Sequence, residues 1–372
     1  MTSFDPTSLM QYAGYAFFVV FMLYGQKLQM LQMLAQIGQK MKLLVKMRDT
    51  SFSELRSHIL KHIGTLTPDD EKALKIMIDS IAIPPVSHLD PAGLVPKMEN
   101  IFKTYDKYLK NGLKRIVNRP GVEPVSQSEL ENLTNSLEVA IELNVFVKVV
   151  EHFVKLSKKA GMLAVYQIFM ILPMILEMGE ALNEAAKHFG TGLPIGDGFG
   201  PMVAQRFVKN GDGMMDSEDH STDSETSVYE QIVNNRKVIV VKAKGPGGSV
   251  GNPGKVTQEV IYWSKPALVV TIDAGLKMES EKTGDVSEGV GVAMGGPGMD
   301  RFRIEEALST LEVPVLTVVC KMTMKEAISK MPKEVLDQVD PVYQRVLTMI
   351  EQNSAEGDTV VVIGVGNTMG VE

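Results

Sequence analysis

From Pro6 to Gln26 the chain carries no charged residue, and the stretch Leu9 to Tyr24 is nearly all apolar. A membrane-spanning helix needs about 20 such residues, with about 17 as the lower limit. Residues 9–25 are just long enough. Tyr12, Tyr15 and Tyr24 lie near the ends of the run, where aromatic side chains gather at membrane interfaces. Lys27, Lys40, Lys42, Lys46 and Arg48 follow, with no acid between Asp5 and Asp49. Positive charge on that side puts the rest of the chain in the cytoplasm. No basic segment precedes the run and no small-x-small site follows it, which argues against a cleaved signal peptide. Beyond it, Leu28, Leu31, Leu34, Ile37 and Met41 recur at helical spacing, with Gln26, Gln29, Gln32, Gln36 and Gln39 on the other faces. That pattern predicts a helix leaving the membrane, with a stripe through which copies of the chain could self-associate as a homo-oligomer.

Residues 51–189 keep the helical period. Thr67-Pro68-Asp69-Asp70 offers a cap, a proline at the first helical position and acids in the first turn, and Ser126 with Glu129 forms a second start signal. A second charge-free run, Ala160 to Leu176, contains Gln167 and Pro173 and is closed by Glu177. These interruptions favour a core helix over a second span, with Gln167 hydrogen-bonded inside the domain and a kink or a break at Pro173.

The pattern then changes. Val238 to Val241, Ala267 to Ile272, Val313 to Cys320 and Val360 to Ile363 are short, β-branched, continuously apolar runs, and 23 of the 32 glycines lie from Gly190 onward. Such runs suit strands covered on both faces, and Lys325–Met331 and Pro341–Gln352 between them look helical. The expected fold class is α+β multidomain: a membrane anchor (1–26), a juxtamembrane helix (27–50), an all-α domain (51–189) and a C-terminal α/β domain (190–372) with a mostly parallel sheet.

Composition changes this picture in two places. The formal net charge is −7, and the seven acids between Asp212 and Glu230, with no Lys or Arg among them, account for all of it. Residues 210–230 are expected to be a solvated acidic loop, and without a basic surface no nucleic-acid partner is expected. The single Cys320 excludes an intrachain disulfide and a cysteine zinc site, so no metal site is assigned and no cofactor is named.

Candidate chemistry gathers at glycines and two acids. Gly245 to Lys255 approaches a phosphate-binding loop but has Ser249 in place of the leading glycine and Val256 after the lysine, so a turn is the simpler reading. Gly364-Val365-Gly366-Asn367 follows a strand, as a dinucleotide fingerprint does, yet residue 372 is too near for a helix to follow. A third glycine loop runs from Gly284 to Gly296 and contains Gly289 and Gly291. Asp273 ends the apolar run Leu268 to Ile272, where side chains of an open α/β sheet face the ligand crevice. Asp197 sits between Gly196 and Gly198 in a turn before a helix beginning near Met202. A helix cap for Asp197 and a turn former for Asp273 are the bland alternatives.

Two resemblances follow from these residues. The apolar start with Tyr24-Gly25-Gln26, the helical middle, Pro194-Ile195-Gly196-Asp197, Ile272 to Lys277 and Gly364 to Thr368 resemble an archaeal family known as domain of unknown function 1512. That family implies no activity. From about Gly190 onward the chain also resembles, more distantly, hydrogenase-maturation endopeptidases and the spore germination protease. Gly364-Val365-Gly366-Asn367 is similar to their Gly-x-Gly-Asn strand end, Gly196 to Pro201 to their Gly-Asp turn, and Ile272-Asp273-Ala274 to their strand-ending aspartate. Gly289-Val290-Gly291 and Val313-Pro314-Val315 resemble further motifs of the germination protease. The order differs, as a circular permutation would make it, and no histidine follows His220 to match the metal ligand of the maturation enzymes.

The resemblance implies a peptidase-like hydrolase with Asp197 and Asp273 as paired catalytic acids and Gly196, Gly198, Gly289, Gly291, Gly364, Gly366 and Asn367 lining the site. The expected partners are the lipid bilayer, through residues 9–25, and a peptide or small-molecule ligand. The expected location is the cell membrane, single-pass, with the C-terminal domains cytoplasmic. The alternative is a non-catalytic ligand-binding or scaffold protein using the same crevice. Because 76 positions separate the two acids, their meeting is a question of fold.

Overall fold

A computed structural model of the chain describes residues 6–82, 93–189, 192–210, 223, 225–296 and 298–371. Helix α1 (Pro6–Ile63) is continuous over 58 residues. It is followed by α2 (Pro68–Ile78), α3 (Leu94–Val117), α4 (Gln127–Ala160) and α5 (Met162–His188). The Thr67 cap forms as expected, with Asp70 N–H donating to its hydroxyl and the Asp70 carboxylate accepting from Thr67 N–H. At α4, Glu129 N–H donates to Ser126 Oγ, while the Glu129 carboxylate pairs with His62 instead of returning to the cap.

The chain divides into two compact units. One joins the part of α1 up to Thr50 with Glu142–Glu180 of α4 and α5; the other joins Ser51–Ile141 with Ala181–Glu372. The core of the first unit is built from Ile37 and Leu44 of α1, Val147 and Val150 of α4, and Val165, Ile168, Leu172 and Ile175 of α5. Gly179 lets these helices close up, since a Cβ there would lie 3.0 Å from Leu44 and 3.7 Å from Leu143. Pro173 lies inside α5 without ending it. Gln167 is exposed, contrary to the expected buried partner, because the 3.6-residue period buries Ala164, Val165, Ile168 and Leu172 and turns Leu163, Tyr166, Gln167 and Met170 outward. By length and composition α1 and α5 are both apolar enough to cross a membrane. The described side chains from Ala13 to Phe21 are all exposed, whereas a third of the apolar stretch of α5 is buried.

In the second unit, Leu55, Ile59, Leu74, Leu109, Leu113, Leu130 and Leu137 form a helical core. The α/β part follows: a 3-10 turn (Gly196–Gly198), α6 (Phe199–Lys209), β1 (Thr226–Val233), β2 (Arg236–Ala243), α7 (Pro253–Ser264), β3 (Leu268–Leu276), β4 (Val286–Val290), α8 (Met299–Leu311), β5 (Val315–Met322), α9 (Met324–Ile328), α10 (Lys333–Leu336), α11 (Val339–Asn353) and β6 (Thr359–Gly364). The six strands form one mixed sheet, in the order β1-β2-β6-β3-β5-β4. The four inner strands are parallel, as their continuous apolar character requires, and both edge strands are antiparallel. Alternate residues serve opposite faces. Val270, Ile272, Val360 and Val362 meet Phe199, Val203, Phe207 and Val346 of α6 and α11, while Val269, Val361 and Ile363 meet Val256, Val260, Ile304 and Leu308 of α7 and α8.

Two segments expected to be loops are edge strands. Residues 226–230 of the expected acidic loop belong to β1, which pairs with β2 across Asn234-Asn235, both at positive φ as a two-residue hairpin turn demands. Residues 211–222 and 224 of that loop lie outside the described residues. Val286–Val290, inside the expected glycine loop, is β4, held to β5 from one side only.

Candidate functional site

The site is assembled where β6 stops and β3 continues. Pairing between them ends at Ile272↔Gly364, while β3 goes on beside β5 with Asp273 opposite Val319. Asp273 therefore does not end its strand as expected. It stands at the first position where the departure of β6 leaves one side of β3 open. Val365 N–H still donates to Ile272 O (2.9 Å), and the chain then turns away through Gly366 and Asn367.

That turn leads to Asp197. The Asp197 carboxylate accepts from Asn367 N–H (2.8 Å), and Gly366, at φ +133°, lies so close that a Cβ would sit 1.9 Å from Asp197 O. The neighbouring glycines are explained by similar crossings. A Cβ at Gly196 would lie 2.3 Å from Glu326 O, one at Gly198 3.0 Å from Asn367 O, and one at Gly364 2.6 Å from Gly200 O. Gly200, not singled out from the sequence, is needed too, with Ile272 O and Val365 O both 2.3 Å from its absent Cβ. These glycines let backbone approach backbone. They bring the 3-10 turn and the start of α6 against the ends of β3 and β6.

Asp273 is 5% exposed. Its Oδ1 accepts from Ala274 N–H (2.7 Å) and its Oδ2 from Gly295 N–H (3.2 Å). Burial and then the charge of Asp197 push its carboxyl up to about 8, against the opposing effect of those two N–H donors. Burial also raises Asp197, offset by the Asn367 N–H. A raised pair of this kind holds a proton that one carboxyl can give while the other accepts.

The remaining expected residues fall into two groups. Asn367 touches Asp197 through its backbone, but its side chain is engaged elsewhere, accepting from Met369 N–H (2.9 Å) and donating to Gly248 O (3.2 Å). Gly289 lies on β4 opposite Thr317, and a Cβ at Gly291 would meet nothing within 4 Å. The glycine that reaches the carboxylate is Gly295, a few residues later. Ala293 N–H, bonded to Thr271 Oγ1 (3.1 Å), steadies the same segment. Among the described residues, a Cβ at Gly295, Gly296 or Gly298 would meet nothing within 4 Å, so this cover over Asp273 is open on its outer side.

The Gly245–Gly251 loop holds onto α4 instead of presenting its amides to a phosphate. Gly248 N–H donates to Asn132 Oδ1 (3.1 Å), and Gly248 O accepts from Asn135 Nδ2 (2.8 Å). Among the described residues no group of three or more His, Cys, Asp or Glu is placed to hold a metal ion.

Fold and site together define a mixed α/β protein in which Asp197 and Asp273 lie where β6 ends beside β3 in a mixed sheet, joined to a long-helix region. Two family models meet between residues 192 and 195: "Protein of unknown function (DUF1512) N-terminal domain" matches residues 11–192, and "Domain of unknown function (DUF1512) C-terminal" matches residues 195–372. The chain belongs to this family. Comparison with curated proteins and with solved structures returned no match.

Proposed function

We propose that the protein is a membrane-anchored, peptidase-like hydrolase in which Asp197 and Asp273 act as an acid–base pair. The observation that carries this reading is that the charge of Asp197, an acid from a distant part of the chain, acts on the buried Asp273, whose carboxyl is pushed up to about 8. In this assignment Asp273 holds the proton and Asp197, whose carboxylate accepts the Asn367 N–H, is the base. Asp197 would take a proton from water as the water oxygen bonds to the substrate carbonyl carbon. Asp273 would donate its proton to the carbonyl oxygen. Collapse of the tetrahedral adduct re-forms C=O as one hydroxyl proton returns to Asp273, breaks the C–N bond, and releases the amine with the proton returned by Asp197. Substrate would enter past Gly295, Gly296 and Gly298, where the outer side is open.

The anchor in this reading is residues 9–25. Support comes from the uniformly exposed apolar side chains between Ala13 and Phe21, which water would disfavour. The run of lysines after residue 26 favours a cytoplasmic position for the rest of the chain.

A second reading has its own observation: both Asp273 oxygens already accept backbone N–H groups, as they would if the residue only clamped the Gly295 segment for a binding or scaffold protein. The test is cleavage of a mixed peptide library by the full-length protein in detergent, read by mass spectrometry, with Asp273→Asn and Asp197→Asn alongside. The hydrolase predicts cleavage that either substitution reduces by about 100-fold or more. Cleavage unchanged in both variants rejects the pair, and no cleavage by the unsubstituted protein favours the scaffold.

A further inference from the structure

The first unit contains an apolar surface that the anchor does not account for. On α5, Leu163, Tyr166, Met170 and Met174 are 66%, 40%, 75% and 58% exposed. They form one face at helical spacing, and no charged residue lies on the helix between Met162 and Glu177. Where that face sits relative to the anchor can be counted along the helices. Gly179 of α5, Leu44 of α1 and Leu143 of α4 share one level, because a Cβ on Gly179 would touch both leucines. The α1 residues that pack in this core run from Met30 to Met47, so α5 extends from Gly179 back toward the start of α1, parallel to it. Seventeen residues separate Gly179 from the first residue of α5, Met162, and 17 separate Leu143 from the last residue of α4, Ala160. Counting 17 residues back along α1 from Leu44 gives Lys27. All three paths are about 26 Å at 1.5 Å per residue. The α4–α5 turn at Gly161 is thus level with Lys27, the first charge after the apolar run of α1.

We propose that the tip of the α4–α5 hairpin is a second membrane contact, lying in the headgroup layer of an anionic bilayer beside the point where α1 emerges. This inference rests on the anchor reading for residues 9–25. Charge supports it: Lys27, Lys155 and Lys159 are exposed around the tip, and the nearest acid along α4, Glu151, stands about two and a half turns before its last residue, 3.8 Å from Lys155. Lysine stems can lie along apolar surface while their ammonium groups meet lipid phosphates. Leu163 and Tyr166, in the first turn and a half of α5, supply the apolar and aromatic groups suited to an interface. Met174 lies about 16 Å further along the helix from Leu163, beyond the headgroup layer.

The test uses the full chain in vesicles of phosphatidylcholine with phosphatidylglycerol. An environment-sensitive fluorophore is attached at Leu163→Cys, Met174→Cys or Phe17→Cys; Cys320 is buried, and labelling of the unsubstituted chain checks that it stays unreactive. Nitroxide-bearing lipids should quench Phe17 and Leu163 several-fold more than Met174, with aqueous iodide giving the reverse order. The paired change Lys155→Glu with Lys159→Glu should weaken lipid quenching at Leu163 without altering Phe17. Lipid quenching at Phe17 but iodide quenching at Leu163 overturns the inference and leaves the anchor intact. Protection of Leu163 from both quenchers, as a second copy packed there would give, also overturns it. Failure of Phe17 to report lipid removes the anchor reading, and the hairpin contact with it.

Discussion

The carboxylate site and the long-helix unit handle their surfaces in opposite ways. Around Asp197 and Asp273 nearly every group is matched from within the chain: glycines fit against carbonyls, and both acids accept backbone N–H groups. In the helical unit, large apolar side chains such as Phe17, Phe21, Leu163 and Met170 are left bare. Burial inside the chain therefore explains the first region and leaves the second to something outside it. Glycine carries the same contrast at a smaller scale, since Gly366 and Gly200 are fixed by neighbours while Gly295 and Gly296 face open space.

The largest effect is expected from the bare apolar run of α1. Deleting residues 1–26 should move the protein from the pellet to the supernatant of alkaline-washed membranes, because the exposed apolar run is then lost. A pellet fraction unchanged by the deletion would show that the bare surface of α1 is not what holds the protein.

Titration sharpens the other side. The folded protein keeps the Asp273 proton up to about pH 8, whereas an exposed aspartate in the unfolded chain releases it near about pH 4. Between those values the folded state binds the extra proton, so stability is greatest at the acid end and falls as pH rises through 8. The ceiling on that loss is on the order of 5 kcal/mol, and the raised Asp197 acts in the same direction. Asp273→Asn should flatten the unfolding free energy measured from pH 5 to 9 and make the variant the more stable form at the alkaline end. An identical slope in the two proteins would mean that Asp273 is ionised in the fold.

Glycine substitutions come next in size. Gly366→Ala places a methyl against Asp197 O at a φ that L residues rarely adopt, and about 3 kcal/mol or more of stability should be lost in denaturant unfolding. Gly295→Ala meets no neighbour and should change stability by less than about 0.5 kcal/mol. Equal losses would erase the distinction between packed and open glycines.

Much of the architecture was legible because its signals are local. The apolar runs that became β2, β3 and β6 are buried on both faces, and that of β5 on one with the other half-buried, so their composition needs no partner to interpret. The strands that escaped notice are the edges. In β4, Ser287, Glu288, Gly289 and Val290 are all exposed, leaving no alternation to detect, while β1 follows an acid-rich stretch and is marked chiefly by its Asn234-Asn235 turn. At the site, Asp197, Gly366 and Asn367 could be singled out by residue type and position. Gly295 could not, because its role depends on where the chain travels after β4, which no local spacing encodes. Gln167 failed for a related reason: a charge-free run looks uniformly buried until the helical period assigns each residue to a face.

The smallest predicted effect concerns Gly289, whose sequence motif promised a place in the site. Its strand is an edge, and a Cβ there would meet only Thr317 Cγ2, at an ordinary 3.4 Å. Gly289→Ala should accordingly shift stability by less than about 0.5 kcal/mol, and alanine could even rigidify the unfolded chain slightly in favour of the fold. The same substitution should leave cleavage of the peptide library unchanged if substrate enters past Gly295. A loss of cleavage with stability preserved would instead place the substrate backbone along the free side of β4. That outcome would extend the site two strands outward from Asp273, because β5 separates β4 from β3. It would also give the exposed Val290 a role as a substrate contact, making an edge that looks bare an entrance to the site.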